Sequence, residues 1–311
     1  MPKLYIDEFV GIANRLETLV FAFAIKKSYG HDIILDWHEL DSFTVDDTKR
    51  GHVWALNKIA AIRIRNCDGN KFNELAKKNI ILRAPEPEGL SELLDPIYLE
   101  VARKVRLHPL LASKIQSFFQ RMSGRLVVGV HVRHGDFLVV KQDRYENEGY
   151  EWPAVPVWWY EKAMDAIQTQ QKDTAFFLAG TGDPGTYTEL HRNFDIETLD
   201  IVSPYIYKGL GHDSRVNPIA DLFALACCPV LLATPISGYS HWAANALGGP
   251  TDCIVPLPGA TRDNPLMGLV RLYGSRLHRW RDAGRKGKDV VPLPIDLDGI
   301  NLERKAETDW F

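Results

Sequence analysis

Strand-length apolar runs alternate along this chain with longer segments in which apolar residues recur every three to four positions. That alternation restricts the fold to α/β architecture with mainly parallel strands, since it encodes repeated strand, covering helix and return strand. Leu4 to Phe9 reads as a first strand and Gly11 as a turn. Ile12 to Tyr29 follows as a helix, with Leu16, Leu19, Val20, Phe23 and Ala24 on one face and Gly30 as its stop. Ile33 to Trp37 and Ile80 to Leu82 are further strands. Residues 91–122 read as helical, Pro109 opening their last segment, and Gly124 ends them. A second series then runs through strand Leu126 to Val132, a polar loop from Arg133 to Pro156, helix Trp158 to Gln170 and strand Thr174 to Ala179. It continues with helix Asp183 to Phe194, strand Ile196 to Leu199, a helix opened by Asn217-Pro218, strand Val230 to Ala233, helix His241 to Leu247 and strand Asp252 to Leu257. The expectation is two Rossmann-like halves, 1–124 and 125–270, parted near Ser123 to Arg125, with a basic C-terminal segment and tail at 271–311.

With 311 residues, 45% of them hydrophobic, each half can bury a core. A formal net charge of −3 gives no ground for a nucleic-acid partner. The cysteines, Cys67, Cys227, Cys228 and Cys253, have neither metal-site spacing nor a good bridging pair, which suits a reducing compartment. The first residues lack the apolar core of a signal peptide, and no apolar stretch reaches the roughly 18 residues of a membrane span. A cytoplasmic location is expected.

Four segments carry residues suited to chemistry. Gly129-Val130-His131-Val132-Arg133-His134-Gly135-Asp136-Phe137 puts polar residues at the carboxyl end of a buried strand, where open α/β sheets bind ligands. Arg133 offers a planar fork of donors to phosphate oxygens, Gly135 allows a close backbone approach, and Asp136 can orient the arginine. Asp221 lies in the first turn of the helix opened by Asn217-Pro218; it is either a carboxylate for two parallel guanine donors or a plain helix-start acid. Ala233 to Ala244 reads as a strand, a Ser/Gly turn and a helix, in which Ser237 and Ser240 either face a phosphate or cap the helix. Gly11-Ile12-Ala13-Asn14-Arg15 lacks G-x-G-x-x-G spacing, so a dinucleotide is not supported; Asn14 and Arg15 face either a ligand or solvent.

In this order the segments resemble the α1,2-, α1,6- and protein O-fucosyltransferase superfamily. His131-Val132-Arg133-His134-Gly135-Asp136 is similar to its H-x-R-x-x-D signature, Ser237 to Ala244 to its S-S-F-S-W-W-A segment, and Gly11 to Asn14 to its N-terminal G-x-x-N turn. The likeness runs from about residue 5 to 257. It implies a GT-B fold of two Rossmann-like domains facing across a cleft, and inverting, metal-free transfer from GDP-β-L-fucose to a hydroxyl of a glycan, lipid-linked sugar or protein. By the same resemblance Arg133 holds the diphosphate and is the catalytic cation. His131 lines the nucleotide pocket, Asp221 reads guanine, and Ser237, Ser240 and Gly135 meet phosphate. Gly11, Asn14 and Arg15 lie on the sugar and acceptor side. No cofactor or metal is expected beyond the donor itself. Some members carry a carboxylate base about ten residues after the signature histidine, where this chain has Lys141. Asp7, Glu8, Asp136 and Asp143 are the remaining candidates for a base.

Other readings use overlapping residues. Arg133-His134-Gly135 also matches the R-H-G turn of histidine phosphatases, with His134 as nucleophile. A nucleotide-sugar binder without transfer would use the same pocket. Asp296-Leu297-Asp298 could be a metal-binding D-x-D, although Pro294 and Gly299 favour a turn. From Arg271 to Lys288, the cations Arg271, Arg276, Arg279, Arg281, Arg285, Lys286 and Lys288 face only Asp282; they form a solvated helix face or a peripheral contact with anionic lipid headgroups.

Overall fold

The computed structural model describes residues 1–7, 10–64, 78–83, 94–135, 137–139, 141–147, 152–181, 184–199, 201 and 217–302. The chain divides into two compact units, the first running to His108 and the second starting at Pro109.

The first unit contains β1 (Lys3–Ile6), α1 (Ile12–Tyr29), β2 (Asp32–Leu35), β3 (Phe43–Val45), β4 (Thr48–Arg50), α2 (Ala55–Ala60), β5 (Ile62–Ile64), β6 (Ile80–Leu82), α3 (Tyr98–Ala102) and β7 (Val105–Leu107). Its main sheet has the order β4-β2-β1-β6-β5 and is parallel throughout. All parallel neighbours need covering on both faces, and β1 and β6 are accordingly buried along nearly their whole lengths. Helix α1 buries Leu16, Leu19, Val20, Phe21, Phe23 and Ile25, and ends where Gly30, at φ +72°, returns its N–H to the Lys26 carbonyl at 2.7 Å. The helical reading of residues 91–122 is corrected. Its described part breaks into a short 3-10 turn, α3 and β7, and a separate helix begins only at Pro109. In β7 the alternation of buried Val105 and Leu107 with Arg106 pairs antiparallel with β3, and that pairing outweighs helical propensity.

The second unit holds α4 (Pro109–Arg121), β8 (Leu126–Val132), α5 (Val157–Gln170), β9 (Thr174–Gly180), α6 (Thr188–Asn193), β10 (Ile196–Glu197), α7 (Pro218–Ala226), β11 (Val230–Leu232), α8 (Gly238–Trp242), β12 (Asp252–Pro256), β13 (Met267–Val270), α9 (Leu277–Lys286) and β14 (Val290–Leu293). The sheet order is β10-β9-β8-β11-β12-β13-β14, with the first five parallel and the last two antiparallel. Two expected boundaries move. Phe118 of α4 meets Phe177 of β9 edge-on at 5.6 Å, which ties that helix to the second unit and places the division at 108/109 rather than near 124. Residues 271–302 are no tail: α9 packs against α8, and β14 extends the sheet.

Candidate functional site

In the second unit the polar residues gather where β8 and β11 end. Gly129 leaves little room within β8, because a Cβ there would lie 3.0 Å from Leu225 on α7 and from Leu231 on β11. The tight packing holds α7 against the strand. Two residues on, His131 is only 3% exposed and stacks on Tyr239 of α8, with ring centroids 4.8 Å apart. Its Nδ1 lies 2.6 Å from the Ser240 hydroxyl, which also accepts the Thr234 N–H at 3.2 Å. Burial, helped by the charge of Arg133, pushes the imidazole pKa down to about 3, so the ring is neutral. With the Ser240 oxygen taking an amide N–H, its O–H can donate to Nδ1 and leave the proton on Nε2.

Thr234 latches the two strand ends together. Its hydroxyl donates to the His131 carbonyl at 2.8 Å and accepts the Arg133 N–H at 3.1 Å, while the Tyr160 hydroxyl lies 3.0 Å from both oxygens. The backbone of Arg133 is thereby fixed. Its half-buried guanidinium lies 5.6 Å from the centroid of the Phe137 ring, which Trp152 supports from 5.6 Å. A cation so placed keeps its charge at the edge of the sheet, on an apolar support.

Asp221, in the first turn of α7, is 5% exposed. Asn217 caps the helix, accepting the N–H groups of Ile219 and Ala220 at 3.1 and 3.2 Å, so the aspartate is not needed for that task. Among the described residues its carboxylate has no hydrogen-bond or ion-pair partner, and burial holds its pKa well above the ordinary carboxylate value. Such a group suits a ligand that brings its own donors. Helix α7 joins the same edge, since Tyr239 donates its hydroxyl to the Pro218 carbonyl at 2.5 Å.

The turn before α8 is strained. Ile236 has φ +70°, a conformation costly for a β-branched residue. Gly284 of α9 sits against it, and a Cβ at that glycine would fall 2.9 Å from the Ile236 nitrogen. The Asn147 side chain donates to the Gly284 carbonyl, anchoring α9 from the other side. Ser237 follows as the α8 N-cap, 7% exposed and without a capping hydrogen bond from its side chain.

The structure thus brings His131, Arg133, Asp221, Ser237 and Ser240 to one edge, with corrections. Ser240 is fully buried, and its hydroxyl serves His131 and Thr234, so it organises the edge from within. Gly135 has no left-handed φ, and a Cβ there would meet only Thr181, at 3.7 Å; the fold itself does not demand glycine. His134 has its Nε2 2.8 Å from the Val155 carbonyl and its N–H on Thr181, a structural explanation for the R-H-G histidine. Asp136 and Glu8 lie outside the described residues. Asp143 is exposed. Leu297, at φ +58° and buried, makes Asp296 and Asp298 exposed flanks of a turn.

In the first unit Gly11 is the exposed N-cap of α1 and Asn14 is half-buried. Arg15 departs from expectation. It is 3% exposed, makes a two-pronged ion pair with Glu39 (Nη1 to Oε2, 2.7 Å) and lies 5.2 Å from the centroid of the Trp37 ring. Its guanidinium is spent on the fold, and Glu39 went unread because its partner is distant in sequence. Asp7, just beyond β1, pairs with Arg83 at 3.3 Å. In the basic segment Arg271 pairs with Asp252, Arg279 with Asp289 and Lys286 with Asp282, while Arg276 is buried.

No family profile matches the chain. In sequence it is similar to galactoside α-(1,2)-fucosyltransferase 1 of Rattus norvegicus, 27% identical over 176 residues, or 56% of this chain and 41% of the relative. The enzyme of the same name from Saimiri sciureus is 28% identical over 163 residues, 49% of this chain and 39% of the relative. The chain thus spans about two fifths of the length of these curated relatives. In structure it is similar to the fucosyltransferase NodZ from Bradyrhizobium, with TM-score 0.52, 15% identity and coverage of 82% of this chain and 96% of the other. NodZ α-1,6-fucosyltransferase soaked with GDP-fucose gives TM-score 0.53, 15% identity and coverage of 87% and 99%.

Proposed function

We propose that this chain, a homologue of fucosyltransferases with their GT-B fold, is an inverting, metal-independent transferase that moves fucose from GDP-β-L-fucose to an acceptor hydroxyl. Support comes from its sequence relatives and, above all, from Asp221, whose buried carboxyl has no partner among the described residues and whose helix is tied through Tyr239 to the His131 and Arg133 edge. Guanine presents a ring N–H and an amino group side by side, and a carboxylate accepts both; adenine and uracil present no such pair. The neutral His131 lines the same pocket without adding a second charge.

The chemistry follows from where charge builds. As the anomeric bond lengthens, the sugar becomes oxocarbenium-like and the β-phosphate gains negative charge. Arg133, its backbone held by Thr234, is the cation that meets that charge, and Ser237 offers a hydroxyl that caps no helix end. The acceptor hydroxyl attacks from the face opposite the diphosphate, so configuration inverts. Its oxygen bonds to the anomeric carbon, GDP leaves with the bonding pair, and the hydroxyl proton passes to solvent or a base.

A thermal-shift panel of GDP, UDP, ADP and CMP is the direct test, followed by turnover of GDP-fucose against GDP-mannose with and without EDTA. Stabilisation by GDP alone, EDTA-insensitive fucose transfer and an inverted product anomer by NMR are expected. Equal response to UDP and GDP would overturn the reading.

A further inference from the structure

Parallel α/β sheets bind ligands beyond the carboxyl ends of their strands, and the first unit has such an edge of its own. There the loop after β4 runs Gly51-His52-Val53-Trp54 into α2. Five hydrogen bonds hold it in one shape. Gly51 donates its N–H to the Leu35 carbonyl at 3.0 Å. Asp36, just beyond β2, accepts the Val53 N–H at 2.9 Å on one carboxylate oxygen and lies 3.1 Å from Nδ1 of His52 with the other. The Asn57 carbonyl accepts the Trp54 N–H at 3.1 Å, while its amide donates to the Tyr5 hydroxyl at 3.1 Å. Tyr5 and Val53 belong to the core of this unit, so the loop is anchored.

What this anchored loop displays is unusual for a protein surface. Trp54 is 70% exposed, with the imidazole of His52 beside it at 6.2 Å between centroids. The His52 side chain is itself largely exposed, its Nδ1 engaged by Asp36. A Trp left in water at the end of a rigid loop costs apolar exposure and gains nothing for folding. A flat indole next to a fixed imidazole–carboxylate pair matches one ligand chemistry well. The C–H face of a pyranose covers the ring, and its hydroxyls take hydrogen bonds from the polar pair at the rim. Leu56 and Ile59, three residues apart on the α2 that follows Trp54, are exposed as well and form an apolar strip on that helix.

We infer that this edge, built from Trp54, His52 and Asp36, is a saccharide-binding platform, with Trp54 the stacking surface and His52 the hydroxyl partner. Identifying its sugar with the acceptor rests on the proposed function; the binding itself does not.

The test uses the full chain and a panel of neutral oligosaccharides and their alkyl glycosides, read by saturation-transfer NMR without any donor. Binding should weaken at least tenfold in Trp54→Ala, recover in part in Trp54→Phe, and weaken less in His52→Ala, while stabilisation by GDP is unchanged in all three. The strip on α2 predicts tighter binding of alkyl glycosides than of free sugars. Saccharide binding that persists undiminished in Trp54→Ala overturns the inference, as does a panel in which nothing binds. Concentration-dependent self-association abolished by the same substitution also overturns it, and assigns the strip to a second copy of the chain. Trp54-dependent saccharide binding in a protein indifferent to GDP would sink the transferase reading and leave the platform standing.

Discussion

The two units each end a parallel sheet in a row of polar side chains, and the rows are built in opposite ways. In the second unit the edge is buried: His131, Thr234, Ser240 and Tyr160 satisfy one another, and Asp221 lies out of water. In the first unit His52 and Trp54 stand in solvent on an anchored loop, and only the Asp36 contact holds the imidazole. An interlocked edge accepts one ligand shape, because moving any member unpairs a buried polar group. An open edge can change its ligand with a few surface substitutions.

That contrast breaks most severely at Arg133. Arg133→Ala is expected to lower kcat by about a thousandfold, roughly 4 kcal/mol of transition-state stabilisation, with the thermal midpoint little changed. Arg133→Lys should restore little, since a point charge lacks the fork. A rate within a few-fold of the parent in either variant would remove the donor edge from catalysis.

Next in size is Asp221→Asn. GDP affinity should drop about a hundredfold with guanine selectivity lost, because the amide's N–H faces the guanine donors. Stability should move the other way. A carboxyl whose folded pKa is raised takes up a proton on folding, so its penalty is absent below the unfolded value near 4 and grows as pH rises toward the folded value. The asparagine variant should therefore be as stable as the parent at acid pH and more stable at neutral pH. Guanine binding favours the ionised form, so GDP should release a proton wherever the free protein still holds it. Calorimetry in buffers of different ionisation enthalpy reads that proton, and a buffer-independent heat would show that Asp221 does not meet the base.

The smallest expected effect sharpens the comparison. Thr234→Val keeps shape but leaves the Arg133 N–H without its acceptor, costing about 1–3 kcal/mol of stability. The KM for the donor should rise while binding of saccharides to the first unit does not. Equal losses at both edges in a well-folded variant would show that they are not independent.

The parallel strands were legible in the sequence because a strand buried on both faces must be continuously apolar, as Leu126 to Val132 is. The antiparallel edge was not. In β14, Val290 and Val291 precede Pro292 in a short, partly exposed run that resembles a loop until β13 is placed beside it. The same limit governs the site. Motif residues at strand ends stand out because chemistry concentrates there, whereas Arg15, open in the sequence to a ligand or to solvent, meets Glu39, which is joined to it only by the fold. Thr234 also escaped notice, being one hydroxyl among many until β8 and β11 lie side by side.

Helix α9 carries a consequence for anyone who trims this protein. With Gly284 seated on Ile236, the last described helix acts as a wedge that keeps the turn ahead of α8 in its unfavourable twist. A boundary drawn at residue 270, where the Rossmann-like pattern runs out, would let that turn relax. The shortened chain could keep most of its sheet and still lose its grip on nucleotide. On the proposed function, α9 therefore belongs to what shapes the nucleotide edge, although no residue there resembles a nucleotide ligand.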